Sequence, residues 1–373
     1  MNLHAGGDVK FEAAADKVHI EQTVKSNSMT LSASGSAGGA QVSLGYQRDE
    51  SQSTADQSTA RVSTVTVGGN ANINAGKDFT DEGTIVQAGG DIAVEAEKIH
   101  VKAAQNTYSE TGSTLSVSVS LGVKAETGLD GIVAAAVGAD NKGKFDGAAA
   151  SEALNGLSVP DAGSVKAELS VSVDKTNSNS HGNTAQASSF SSGGNTSFKA
   201  RSGDATFEGT DVTAGGGISV TADKGSVEIL AAESSTYSET NKTSVSVTVG
   251  VSGDGTISGE GEGSSSKEVS STTSQKAGTF KAGTGNIDIT AQNNVELVGT
   301  NFEAEQGGVG IEAKTGTIDF KAARDTTYDH SSEKSASASV SANVGGKEGS
   351  VGGGYSESST TSETSTGTAG SIK

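Results

Sequence analysis

Residues 68 to 111, GGNANINAGKDFTDEGTIVQAGGDIAVEAEKIHVKAAQNTYSET, align from end to end with residues 193 to 240, GGNTSFKARSGDATFEGTDVTAGGGISVTADKGSVEILAAESSTYSET. A third copy runs from Gly283 to about Ser331, and a partial one opens at Gly6. A chain that repeats itself this regularly is read as a stacked solenoid, since one copy alone has too little apolar surface to close a core.

A shorter step lies inside each copy. Gly69 and Gly89, Gly194 and Gly216, and Gly285 and Gly307 each open a turn followed by alternating apolar residues, a spacing of 20 to 22 residues. That is too short for a βαβ crossover and carries no helical stripe, but it fits one coil of a parallel β-helix with two or three strands. Ile92 and Val94, then Ile99 and Val101, are each two apart and so share a face, which points inward. With 4% aromatic residues, no tryptophan and 32% hydrophobic residues, the expected interior is a narrow stack of Val, Ile, Ala and Leu rather than large rings. Asn70, Asn195 and Asn286 recur at one turn position and read as a structural ladder of residues that tolerate left-handed backbone.

Gly, Ser and Thr are abundant and the net charge is −19, a composition that often leaves a chain disordered. Matching offsets of apolar pairs in four places argue for order instead. The Ser-rich stretches between the coil pairs, about 22–67, 109–192, 238–281 and 329–373, change to strict alternation. Leu115, Val117, Val119, Leu121 and Val123 alternate with Ser or Gly, as do Val245, Val247, Val249 and Val251, and Ala336, Ala338, Val340, Ala342 and Val344. This is the pattern of a two-faced strand. Returning strands are read at Val65 and Val67, at Leu169, Val171 and Val173, and at Val351 with Tyr355, so each insertion is an antiparallel hairpin.

Two coils advance a solenoid by about 9.6 Å, and a hairpin is also about 9.6 Å wide, so successive hairpins match in pitch and form one sheet beside the solenoid. The fold expected is all-β: a parallel β-helix solenoid with lateral antiparallel hairpins. Its units are 1–67, 68–192, 193–281 and 282–373. The second insertion exceeds the others by about forty residues, 124–167, where Asp130 and Asp146 as caps and Gly138 and Gly156 as stops suggest a small Ala-rich helical pair ending near Pro160. Ile132 to Val137 is too short to span a bilayer, and no 18-residue apolar run exists. Met1 is followed by NLHAGGD, which lacks a basic-then-apolar signal.

Zero cysteines exclude a disulfide scaffold and a cysteine metal cluster. The excess of 45 acidic over 26 basic residues argues against a nucleic-acid partner. His4, His19, His100, His181 and His330 form no metal pair, and Arg48, Arg61, Arg201 and Arg324 are not aligned between copies, so no catalytic, cofactor or small-molecule site is expected. A polysaccharide-degrading β-helix enzyme is the remote alternative. No calcium nonapeptide or phosphate loop is present, since Gly89-Gly90-Asp91 lacks the further glycines and GGGIS lacks a following helix with Lys.

The succession AGGDIAVEA, IHVKAAQNTYSET and an alternating Ser and Val stretch resembles the haemagglutinin repeat of filamentous-haemagglutinin-type exoproteins, over essentially the whole chain. The equivalent passages are AGGGISVTA with VEILAAESSTYSET, and QGGVGIEA with IDFKAARDTTYDH. The resemblance implies a right-handed β-helix filament of a Gram-negative bacterium, secreted or on the cell surface, exported by two-partner secretion through an outer-membrane partner. It implies an adhesin or a toxin carrier. The AAQ, Tyr-Ser and Ser-rich variety is similar to contact-dependent growth inhibition effectors, which implies a target-cell surface or outer membrane as a second partner. A secretion domain, a VENN-type motif and a toxin domain are not found in these residues. Tyr108, Tyr237 and Tyr328 then mark where each repeat leaves the solenoid, with rings packed at the junction. Two readings follow: a structural and translocating rod whose Val-faced hairpins meet a membrane or each other, and a module binding glycans or receptors on its outer face.

Overall fold

The computed structural model describes residues 1–36, 39–125, 165–346 and 348–373. Successive 20-odd-residue segments wind as coils, each laying one short strand on each of three sheets. Ala71–Ala75, Asp78–Glu82 and Ile85–Ala88 make one coil, and Ile92–Ala96 returns beside Ala71–Ala75 in parallel. Each of the three sheets has seven parallel strands among the described residues, so seven coils stack to a core about 34 Å long at ordinary strand spacing.

Alternation decides what enters the tube. Ala71, Ile73 and Ala75 point in and are fully buried while Asn72 and Asn74 point out. In-register pairing then stacks like on like: Ile92, Thr196, Ile218 and Ile287 form one column, and Ala96, Ala200, Ala222 and Ala291 another. Thr196 is the polar exception, and its hydroxyl bonds Ser192 Oγ at 2.8 Å.

The interior is not made of small side chains alone. Phe79, Phe190, Phe198, Phe207, Phe280 and Phe302 are its largest buried residues. Phe190, Phe198 and Phe207 meet edge to face at 5.1 and 4.9 Å. A low aromatic fraction hid this, because the few rings the chain has are concentrated at inward positions, where small neighbours such as Ala200 and Ala205 leave room for them.

The Asn ladder also makes bonds that the sequence reading did not include. The left-handed glycines among the described residues are Gly83, Gly209, Gly255 and Gly299, none in the Asn turns. Instead each side chain accepts a backbone N–H from the next coil: Asn70 from Asp91 at 3.0 Å, Asp91 from Asn195 at 2.8 Å, Asn195 from Gly217 at 2.9 Å and Asn286 from Gly308 at 2.9 Å. These bonds satisfy turn donors that no strand ladder reaches.

Every second coil carries a hairpin, inserted between its second- and third-sheet strands. The arms are Ala14–Ser36 with Gly39–Arg61, Ala104–Ala125 with Val165–Gln186, Ala232–Ser252 with Thr256–Lys276, and Ala323–Asn343 with Gly349–Thr368. All eight arms pair antiparallel into a single lateral sheet. Arms of 20 to 23 residues reach about 70 Å from the solenoid.

Two boundaries differ from the sequence reading. The chain leaves the solenoid at Ala14, Ala104, Ala232 and Ala323 rather than at residues 22, 109, 238 and 329: at the last three exits the polar residues around the tyrosine are already extended without an apolar alternation to mark them, and at the first the alternating Val18 and Ile20 belong to the arm. Val65 and Val67 are not a returning arm: Thr64–Val67 is a solenoid strand paired with Ile85–Ala88. Of the stretch 124–167 expected to hold a helical pair, residues 126–164 lie outside the described residues. Their flanks are strand, with Lys124 opposite Lys166 and Ala125 opposite Val165.

Candidate interaction face

At the neck of three hairpins one device recurs. Gly83, Gly209 and Gly299, with φ of 69, 56 and 63°, turn the corner of the hairpin-free coil. A Cβ on each would lie 2.6, 2.4 and 2.7 Å from the Cβ of Ala104, Ala232 and Ala323, the first residue of an arm in the adjoining coil. Each glycine N–H donates to that coil, to Lys102, Leu230 and Lys321 oxygens at 3.0, 2.8 and 2.9 Å. A buried threonine follows each time, Thr84, Thr210 and Thr300. The Gly-Thr pair is visible in the sequence at all three places, although its role as a seat for the departing arm is not.

Beside the first of these corners sits Asp81, a fully buried carboxyl in a column otherwise holding Phe11, Val101 and Phe207. Ser188 Oγ donates to its Oδ2 at 2.5 Å, while Oδ1 has no partner. Burial pushes its pKa up to about 6, outweighing the pull of the Ser188 hydroxyl that donates to it. The folded state therefore favours the protonated acid. Below about pH 4 the carboxyl is protonated both folded and unfolded and costs nothing. As pH rises toward 6 the unfolded chain ionises first, and about 3 kcal/mol of stability is lost, levelling off above that. Urea midpoints at pH 4.5 and 7.5 should show this fall, and Asp81→Asn should flatten it.

Where neighbouring hairpins meet, side chains finish the ladder. Asn106 accepts from Ala60 N at 2.7 Å, Asn183 from Ser235 N at 3.1 Å, and Asp325 from Gln275 N at 2.7 Å. The three tyrosines are not equivalent. Tyr108 is four residues beyond Ala104, but Tyr237 and Tyr328 are five beyond Ala232 and Ala323. One residue of offset reverses the face. Tyr237 stacks on its cross-strand neighbour His181 at 4.8 Å and donates to Glu239 at 2.7 Å, whereas Tyr108 lies on the opposite side over Gly182. Tyr108 and Tyr328 are exposed, so these rings sit on the arms rather than inside the junction.

Beyond the tyrosines the lateral sheet becomes two-faced. On one side hydroxyls bond across strands: Ser118 to Ser172 at 2.8 Å, Ser170 to Thr248 at 2.9 Å, Ser341 to Ser350 at 2.8 Å. The other side is apolar. Register places Val119 opposite Val171, Val171 opposite Val247, Val247 opposite Gly261, Gly261 opposite Ala338 and Ala338 opposite Gly353. Leu115, Val117, Leu121 and Val123 share this side, as do Val245, Val249 and Val251.

Among the described residues the sheet's strands make their extensive contacts only with one another, and not with the solenoid. Val123 is buried with Val42 and Ala125, but Val245, Val247, Val249 and Val251 remain 45 to 50% exposed, and Val340 53%. Two contributors escaped sequence reasoning. Met29, Leu31, Leu44 and Tyr46 of the first hairpin join the same side through short MTLSAS and VSLGY alternations. Gly259, Gly261 and Gly263 form an arm, where glycines suggest a turn.

The Hemagglutinin repeat family matches this chain at residues 44–167, 169–313 and 259–373. A filamentous hemagglutinin of Bordetella pertussis is 28% identical over 296 residues, 64% of this chain and 8% of that protein. A hemolysin of Proteus mirabilis is 28% identical over 121 residues, 32% of this chain and 8% of that protein. The chain thus spans less than a tenth of the length of the curated relatives it matches. No solved structure matches it. Repeats covering the chain, coils of matching period and a hairpin on every second coil agree, and the protein belongs to the hemagglutinin repeat family.

Proposed function

We propose that this chain is a rod-forming segment of a large secreted or surface-exposed exoprotein of a Gram-negative bacterium, without catalytic activity of its own. The lateral sheet is its contact surface for a neighbouring cell's outer membrane. The whole protein is exported through an outer-membrane partner and works in adhesion or in delivering a C-terminal toxin. The relatives named hemagglutinin and hemolysin support the exoprotein reading.

The observation that carries the membrane contact is the apolar side of the lateral sheet, about 35 by 25 Å or about 900 Å², larger than monomers leave open without a use for it. Flotation with outer-membrane vesicles tests it. The 373-residue chain is expected to float with the vesicles, and Val171→Asp with Val247→Asp to cut the bound fraction at least tenfold while the solenoid stays folded by circular dichroism. Absence of flotation by the unmodified chain would reject the reading.

A further inference from the structure

We propose that, in water, the apolar side of the lateral sheet is covered by the same side of a second copy of this chain, paired about a two-fold axis that runs along the strands. The proposal uses the same surface as the membrane reading but does not depend on lipid.

The first support is a division of the central row of that side by residue size. On Ala104–Ala125, Val165–Gln186 and Ala232–Ser252 the central row holds Val119, Val171 and Val247, a ridge. On Thr256–Lys276, Ala323–Asn343 and Gly349–Thr368 the same row holds Gly261, Ala338 and Gly353, a shallow bed. Ridge and bed meet between Ala232–Ser252 and Thr256–Lys276, and the ridge continues into the first hairpin at Tyr46 and Met29.

An axis lying along that boundary, midway between two facing sheets, exchanges left for right and leaves the position along the strand unchanged. It therefore sets Val247 of one copy over Gly261 of the other, Val171 over Ala338 and Val119 over Gly353, and the reverse on the other side of the axis. The contact is isologous and closed. Facing sheets pack about 10 Å apart when their side chains interdigitate, and Val245, Val247 and Val249 set over Gly263, Gly261 and Gly259 supply that fit along the axis.

The second support is area. Six strands overlap, about 30 by 25 Å, so about 1,500 Å² is removed from water in the pair, the size of a stable specific interface. The valine rows begin 13 residues past Ala104, about 45 Å from the neck, so neither chain's own solenoid lies over them. Serine and glutamate side chains such as Ser246 and Glu262 point to the opposite side, so no charge is buried in these rows.

Sedimentation equilibrium of the 373-residue chain between 1 and 100 µM, without detergent, is expected to give twice the monomer mass of 36.8 kDa. Val247→Asp should weaken pairing at least a hundredfold. Gly261→Val is the sharper variant: its Cβ would meet nothing closer than Ser246 O at 3.9 Å, so the sheet accommodates it, yet it fills the bed. It should weaken pairing at least tenfold while leaving vesicle flotation intact.

A monomer at 100 µM would overturn the proposal. So would a Gly261→Val chain that associates more strongly, since that marks unspecific apolar adhesion. A dimer that persists when flotation fails would support the pairing and sink the membrane reading instead.

Discussion

Replacing Gly209 by valine is expected to destabilise the protein by about 4 kcal/mol, among the largest effects of any single substitution. Its φ of 56° is left-handed, which costs a β-branched residue about 1 to 3 kcal/mol. The new Cβ would also lie 2.4 Å from Ala232 Cβ, and relieving that contact costs about as much again. Ala232 cannot retreat, being fully buried as the first residue of the third hairpin. Hydrogen exchange should show lost protection in Asp211–Ala214 and Thr279–Ala282, with the urea midpoint falling accordingly. Gly261→Val makes the control, since a valine there has ordinary backbone and free space, and should cost under about 1 kcal/mol. Equal effects at both sites would remove the case for the glycine as a seat.

Phe198→Ala is expected to cost about 3 to 5 kcal/mol. The ring is 1% exposed and touches Phe190 and Phe207 at once, so its loss opens a cavity that two coils line. A solenoid is held by contacts between neighbouring coils, and the damage should stay local. Amides of Ile92–Ala96 and Ile218–Ala222, which flank Thr196–Ala200, should lose protection, while those of Val309–Ala313 keep it. Phe198→Leu should recover most of the loss. A uniform fall along the rod would contradict nearest-neighbour stability.

Much of this architecture was legible because a solenoid writes its geometry into the chain. Inward positions recur at the coil period, so Ile92, Val94, Ile99 and Val101 declared their faces without any knowledge of partners. The match between two coils and one hairpin forecast a continuous sheet, and the register found pairs Val173 with Val245 across separate hairpins. The hairpin exits were misread because Thr107, Ser234 and Thr327 extend just as an apolar strand does, yet polar alternation leaves no trace in hydropathy. Asn70 was legible as a turn residue, but its acceptor role required knowing that Asp91 lies one coil away.

For the candidate face, the valines at 245 to 251 were evident and the glycines at 259 to 263 were not. Glycine has no side chain to report which way a strand faces. Its contribution here is an absence of volume that only neighbouring ridges define.

Repetition and alternation, local properties of the chain, determined the coil, the hairpin and which side chains face together. Tertiary structure alone decided that Tyr108 and Tyr237 lie on opposite sides, that Asp81 is enclosed among rings, and that the valine side stands away from the solenoid. The reason is that these depend on register between segments from 20 to more than 100 residues apart. A shift of one residue there reverses a face without altering local composition.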